Sequence, residues 1–369
     1  MKQKSTHAVQ RERLLSLDAL RGFDMFWIAG GSYLIEVIAK YSGAGWLNPV
    51  VEQMEHVPWA GFHFYDLIFP LFMFISGVAI PFSLVSKLEK NVPRAELARK
   101  AITRGLILVL LGWIYNGVFK NGFDGPRFSS VLGQIGLAYT FAALITIYTK
   151  SIKQRIYWLG GILGGVAILQ LLVPVPGVGA GVLTPEGCIN GYIDRMLVPG
   201  RLHGKVFDPE GLLCVISAVS VTLMGSFAGY FLRDKKTNDQ YKVKMLSAIG
   251  ASAIGVALIL NTFYPFIKAC WTSSFNLLTA GIGFLLLTLF YWIIDVKGWQ
   301  KWAFFFRVIG MNSIFIYLFN RFVDVDTKLL FGWTVIFGEI EQVINAAGGI
   351  FVVWLLLYYM YKKNIFLRV

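Results

Sequence analysis

The chain has 369 residues, of which 56% are apolar and 15% charged, with 34 basic and 21 acidic side chains. A soluble globule has roughly a quarter of its residues charged, so this composition, with a mean hydropathy of +0.62, excludes one and points to helices in a bilayer. The net charge of +13 would suggest a polyanionic partner in a soluble protein, but its distribution along the chain accounts for it without nucleic acid.

Apolar runs of spanning length, about 20 residues each, fall at 14–39, 64–88, 100–119, 129–149, 156–173, 210–232, 244–264, 272–294, 302–320 and 345–361. The expected fold is an all-α integral membrane protein of about ten transmembrane helices, a single domain over 1–369. Residues 1–13 are polar and basic and read as a cytoplasmic tail. The apolar stretch behind them exceeds a signal-peptide core and lacks a small-residue cleavage site, so it should remain as the first span. With that tail inside, twenty-three Lys and Arg residues fall on inner connections and nine on outer ones, which places both termini in the cytoplasm. Residues 329–340 are apolar but too short to span, so 324–344 is expected to hold a re-entrant or interfacial segment.

Two long outer loops, 41–63 and 174–209, are where recognition or chemistry is expected. The small-residue ladders Gly160/Gly164, Gly161/Gly165 and Gly225/Gly229 predict close helix packing. Cys188, Cys214 and Cys270 show no metal-binding or redox spacing and define no disulfide framework. No internal repeat or matched pair of broken helices favours a transporter.

Ionisable groups in spans are costly and count as functional candidates. In the first span Asp18, Arg21 and Asp24 share a helical face, where they can act or simply neutralise one another. The loop before the second span holds Glu55, His56, His63 and Asp66. An imidazole beside a carboxylate can exchange a proton at neutral pH, although a loop histidine can equally be solvated and inert. A metal held by His56, His63 and Asp66 has weaker support, because their spacing matches no compact ligand motif. Asp208 and Glu210 suit either a site or a helix cap, Lys268, Trp271, Ser273 and Ser274 either a site or an interfacial belt, and Asn312 either a site or an interhelical hydrogen bond. No nucleophile elbow, Walker loop or dinucleotide fingerprint supports a hydrolase, ATPase or dehydrogenase.

Seven stretches in order, RLLSLDALRGFDMFWI (13–28), His56 with Trp59 and DLIFPLFMFISG (66–77), VLGQIGLAY (131–139), DPEGLL (208–213), WTSSF (271–275), GMNSI (310–314) and YKKNIF (361–366), resemble the heparan-alpha-glucosaminide N-acetyltransferase family of multispanning membrane acyltransferases. The resemblance implies transfer of the acetyl group of cytosolic acetyl-CoA, a co-substrate, to the amine of a glucosamine-type sugar, as in heparan sulfate, on the outer face, with no metal. It places the active-site histidine ten positions ahead of the Asp-Leu-x-Phe-Pro motif, at His56. The chemistry of the neighbouring residues leads us to expect that His56 deprotonates the amine with Asp66 or Glu55 orienting the ring, and that Ser273, Ser274 and Asn312 hold the oxyanion; an acetyl-imidazole intermediate is the competing route. Asp18, Arg21, Arg104, Gln134, Asp208, Glu210, Lys268 and Trp271 join those three as candidates for contacting acetyl-CoA or the acceptor, with Arg104 the first choice for the CoA phosphates. Ser32 and Gly133-Gln134 depart from the family pattern, and the extra outer domain and span of lysosomal members are not found here. With no glycosylation sequon present, a bacterial cytoplasmic membrane is the expected location. The resemblance favours a homodimer. An amino-sugar transporter is the alternative function, and a non-catalytic membrane scaffold a third.

Overall fold

The computed structural model describes residues 14–119, 125–323 and 340–367. The 1–13 tail and most of the expected re-entrant segment, 324–339, lie outside the described residues. Every regular element among them is helical, with only isolated β-bridges between loops.

In chain order the helices are α1 (Leu15–Phe26), α2 (Ser32–Ser42), α3 (Asn48–Glu52), α4 (Phe64–Ile80), α5 (Ser86–Leu88), α6 (Arg94–Tyr115), α7 (Val131–Tyr148), α8 (Ile152–Leu172), α9 (Ile189–Leu197), α10 (Leu212–Arg233), α11 (Asp239–Asn261), α12 (Ser273–Phe290), α13 (Phe304–Gly310), α14 (Ser313–Phe322) and α15 (Ile340–Lys362). Seven helical stretches among the described residues are long and apolar enough to cross a membrane, against about ten expected. The other three expected spans have identifiable reasons to differ. The first is broken by a π-helical turn, Trp27–Gly31, in which Gly30 takes φ 126°, a conformation side chains disfavour. The ninth breaks at Met311 and Asn312. Helix α6 carries the charged run Arg94 to Arg104 through its first half.

Backbone crossings without side chains hold the bundle together. A Cβ on Gly77 would sit 2.0 Å from the Thr222 carbonyl oxygen, and one on Gly225 2.0 Å from that of Phe74, so α4 and α10 touch main chain to main chain. Gly22 and Gly310 do the same for α1 and α13. In lipid, where apolar surface gains little by leaving the solvent, such close contact supplies the packing energy. The ladder expectation therefore holds for Gly225 and Gly229 and fails for α8. Around Gly160, Gly161, Gly164 and Gly165 an added Cβ would meet nothing within 4 Å among the described residues, so no helix there approaches α8 closely at these positions.

The break between α13 and α14 is closed by the C-terminal tail. Asn312 donates from Nδ2 to the Ile365 carbonyl (3.1 Å) and accepts from the Leu367 amide (3.0 Å), so the side chain at the break binds the backbone of the tail. Two stretches fifty residues apart, GMNSI and YKKNIF, thereby form one joint.

The loops predicted to be long assemble over one end of the bundle. Trp59 donates from Nε1 to the Leu183 carbonyl (2.6 Å) and packs edge-on against Phe207. Ala60 bridges Ile267, and the Gly61 amide donates to Phe266 (2.9 Å). These contacts tie 53–63 to both 174–209 and 263–272.

Candidate active site

Helix α4 starts in that loop assembly, and its first-turn acid is the organising group. The Asp66 side chain is fully buried; Oδ2 accepts from the amides of His63 (3.1 Å) and Val57 (3.4 Å), which anchors the loop to the helix start. Its Oδ1 lies 2.7 Å from His56 Nδ1. An ionised carboxylate only accepts hydrogen bonds, so this contact puts the ring proton on Nδ1 and makes Nε2, 3.3 Å from Lys268 Nζ, the basic ring atom. About half of the His56 side chain is exposed, so Nε2 is within reach of a substrate.

Lys268 completes the cluster. Its Nζ lies 3.2 Å from Asp66 Oδ1 and 3.0 and 3.3 Å from His56 Nδ1 and Nε2. Burial pulls its ammonium below the ordinary lysine value, with Asp66 and Glu210 opposing. The turn that presents it is held on both sides. Trp271 sits at φ 48° with its ring buried against Phe69 and Phe275, and its carbonyl accepts from Ser217 Oγ (2.6 Å). The Cys270 carbonyl accepts from Gln170 (2.8 Å) and Asn190 (3.1 Å).

Beside this cluster lies a second one. Arg127 grips Asp208 with two hydrogen bonds, 2.8 and 2.6 Å, and also binds Glu210. Burial lifts the Glu210 carboxyl above its usual range, with Arg127 opposing. Asp208 also accepts from the His203 and Glu210 amides (both 3.0 Å), so it braces the loop ahead of α10; the residue preceding the helix is Gly211, and Asp208 does not cap it as expected.

Beneath both clusters a cavity of about 250 Å³ enters the bundle, with His56, Tyr65, Glu210 and Lys268 at its polar end. Its walls are apolar: Met25 and Ile28 from the first span, Ile68, Phe69 and Phe72 from α4, Val131, Leu132 and Ile135 from α7, and Ile314 and Tyr317 from α14. Ser313, at the start of α14, lies one helical turn along from Tyr317 and adds a hydroxyl to the wall.

Of the residues singled out from sequence, His56, Asp66, Glu210 and Lys268 are thus brought together, with Asp208 behind them. Others are not. Glu55 offers His63 its backbone carbonyl, 3.1 Å from Nδ1, while Asp66 rather than Glu55 holds the His56 ring. Ser273 Oγ donates to Leu163 (2.8 Å) and Ser274 Oγ to Pro265 (3.1 Å), so both hydroxyls are spent on carbonyls away from His56. Asn312 serves the helix joint described above. Trp271 is wholly buried instead of lying in an interfacial belt. Gln134 is buried and donates to the Cys214 carbonyl (3.2 Å). Arg104 lies over the Tyr139 ring at 4.2 Å, and Asp18 and Arg21 pair with each other at 3.4 Å; none of these lines the cavity. Asp24 is buried in α1.

Sequence reasoning missed Arg127, Tyr65, Ser313 and Tyr317. Arg127 had one legible signal, a basic residue in the short connection ahead of α7 that it shares with Lys120; the tyrosines read as ordinary span aromatics. The three cysteines, unremarkable in spacing, converge: Cys188 and Cys270 pack in one cluster and Cys214 lies 3.4 Å from the Ala269 carbonyl, all as free thiols. Among the described residues no group of side chains is arranged to hold a metal ion.

No family model matches the chain. Along its length it is similar to the heparan-alpha-glucosaminide N-acetyltransferase of Mus musculus, 26% identical over 431 aligned residues that cover 100% of this chain and 62% of the relative. The Homo sapiens protein of the same name is 26% identical over 425, covering 97% and 60%. The chain therefore spans about three fifths of the length of these relatives. The family resemblance read from the seven stretches is borne out.

Proposed function

We propose that the protein is a membrane acetyltransferase that moves the acetyl group of cytosolic acetyl-CoA to the amine of a glucosamine-type sugar at the outer face. The observation that carries this reading is the imidazole of His56, tautomer set by Asp66 and flanked by Lys268, at the polar end of an apolar cavity.

In this reading the bundle crosses the membrane about ten times, with the broken first and ninth spans and α6 as the three crossings beyond the seven long apolar helices. The excess of Lys and Arg on alternate connections supports placing the His56 end outside. The apolar walls suit the thioester end of the donor's thin arm, and a cavity of this size admits that end while the nucleotide stays behind.

His56 Nε2 takes a proton from the amine as its nitrogen attacks the thioester carbonyl, and the proton then passes to the departing thiolate. The C–N bond forms, the C–S bond breaks, and amide and thiol are released. The Lys268 ammonium, close enough to share the ring edge, neutralises charge developing on the carbonyl oxygen. The Glu210 carboxylate, held by Arg127, offers the incoming amine an acceptor at the cavity mouth.

The test is acetyl transfer from acetyl-CoA to glucosamine by purified protein carrying His56→Ala. Transfer should be abolished while the melting transition stays where it was. A folded variant that transfers at near the wild-type rate overturns the assignment.

A further inference from the structure

At the end of the bundle where α7 hands over to α8, a cleft of about 490 Å³ is lined by polar and basic groups that the transfer reading does not use. Arg155 is 7% exposed, yet every partner it has is neutral. Nε donates to Thr149 Oγ1 (2.9 Å), Nη2 to the Thr146 carbonyl (3.4 Å), and the guanidinium lies over the Tyr230 ring at 4.3 Å. Glu89, carried on the same side, is taken by Arg233. Among the described residues no carboxylate lies within ion-pair distance of Arg155. A buried cation without an anion is among the costlier arrangements in a protein.

A second observation comes from another side chain. Thr146 is 1% exposed, lines the cleft, and its Oγ1 has no hydrogen-bond partner. Arg94 and Lys150, both exposed, add two cations to the cleft lining, and Arg94 opens α6, whose N-terminal dipole also favours negative charge.

We infer that this cleft binds a phosphate group, with the buried Arg155 guanidinium and the Thr146 hydroxyl as its inner contacts and Arg94 and Lys150 as its outer ones. Donors converging from separate helices suit a tetrahedral anion with several oxygens better than a planar carboxylate. The phosphate comes either from the headgroup of an anionic lipid or from a soluble phosphate. The cleft shares no lining residue with the cavity below His56, so the inference stands or falls apart from the acetyl-transfer reading.

The experiment uses the full chain in lipid nanodiscs. In one arm, discs of phosphatidylcholine doped with phosphatidylglycerol are read by native mass spectrometry for retained anionic lipid. In the other, discs of phosphatidylcholine alone are titrated with inorganic phosphate and read by the shift in melting temperature. Binding in the first arm assigns a lipid headgroup, and binding in the second a soluble phosphate. The double variant Arg94→Gln/Lys150→Gln, chosen because both side chains are exposed and safe for folding, should weaken that binding by about tenfold or more. Lys153→Gln, on α8 with Arg155 but outside the cleft, should leave it unchanged. Absence of binding in both arms, or wild-type binding by the double variant, overturns the inference.

Discussion

Lys268 Nζ lies 3.2 Å from Asp66 Oδ1 although 202 residues separate them, and the same carboxylate oxygen holds His56 at 2.7 Å. One buried oxygen thus aligns a base and a cation that arrive on different loops. In the proposed reaction, proton transfer and charge stabilisation are coupled through this single group.

Lys268→Met should lower kcat for acetyl transfer by about 10²–10³-fold, the range found when one preorganised charge-stabilising group is removed. Lys268→Arg should retain part of the rate. Because burial lowers the lysine's own titration, the wild-type rate should fall on the alkaline side as the ammonium deprotonates, and Lys268→Arg should move that limb to higher pH. A pH–rate profile of both proteins checks this; superimposable alkaline limbs would remove Lys268 from the chemistry.

Asp66→Asn should cost about 10²–10⁴-fold in kcat with KM nearly unchanged, since an amide that donates to Nδ1 puts the proton on the wrong nitrogen. The amide keeps its oxygen for the His63 amide, so the melting temperature should move far less than the rate. A parallel loss of stability and activity would mean that Asp66 is structural only.

Arg127→Met should destabilise the protein by about 3–5 kcal/mol, because it leaves Asp208 and Glu210 buried without their counter-charge. Adding Asp208→Asn and Glu210→Gln should restore most of that loss. Denaturant melts of the single and triple variants decide the point, and a triple variant as unstable as the single would overturn it.

Gly77→Ala should destabilise by about 1–3 kcal/mol or more, since its new methyl would press on the Thr222 carbonyl and force α4 and α10 apart. Gly160→Ala, with open space around it, should be neutral or slightly stabilising. Thermal melts of the two proteins in the same lipid should differ accordingly.

Asp194 is buried and caps α10 by accepting from the Leu212 amide (3.0 Å). Burial raises its carboxyl from 3.8 to about 6, against that hydrogen bond. Because the folded state holds the proton more tightly than the unfolded chain, this group's stabilisation is full below pH 3.8 and declines as pH rises through about 6. Asp194→Asn keeps the capping oxygen and should flatten the dependence of the melting temperature on pH between about 4 and 6. An unchanged slope would assign it to another group.

What could be read in advance follows from how far each signal extends along the chain. The apolar runs locate the helices to within a few residues, because a bilayer demands length and apolarity of each segment by itself. The pairing of His56 with Asp66 was accessible for a similar reason: ten residues of loop and first helical turn bring them together locally. The glycine ladders show the opposite case. Gly161/Gly165 and Gly225/Gly229 have the same spacing, and among the described residues only the second pair has a helix, α4, in close contact.

By itself the sequence determined an all-helical chain with apolar helices of membrane-spanning length, and it named His56 with either Asp66 or Glu55 as the pair at the start of α4. Tertiary structure alone decided the rest: that Lys268 joins them, that Arg127 binds Asp208 and Glu210, and that Ser273, Ser274 and Asn312 are occupied with backbone partners instead of facing His56. Hydrogen bonds and ion pairs act over about 3 Å, and nothing in residue spacing reports which distant loops a bundle will bring within that range.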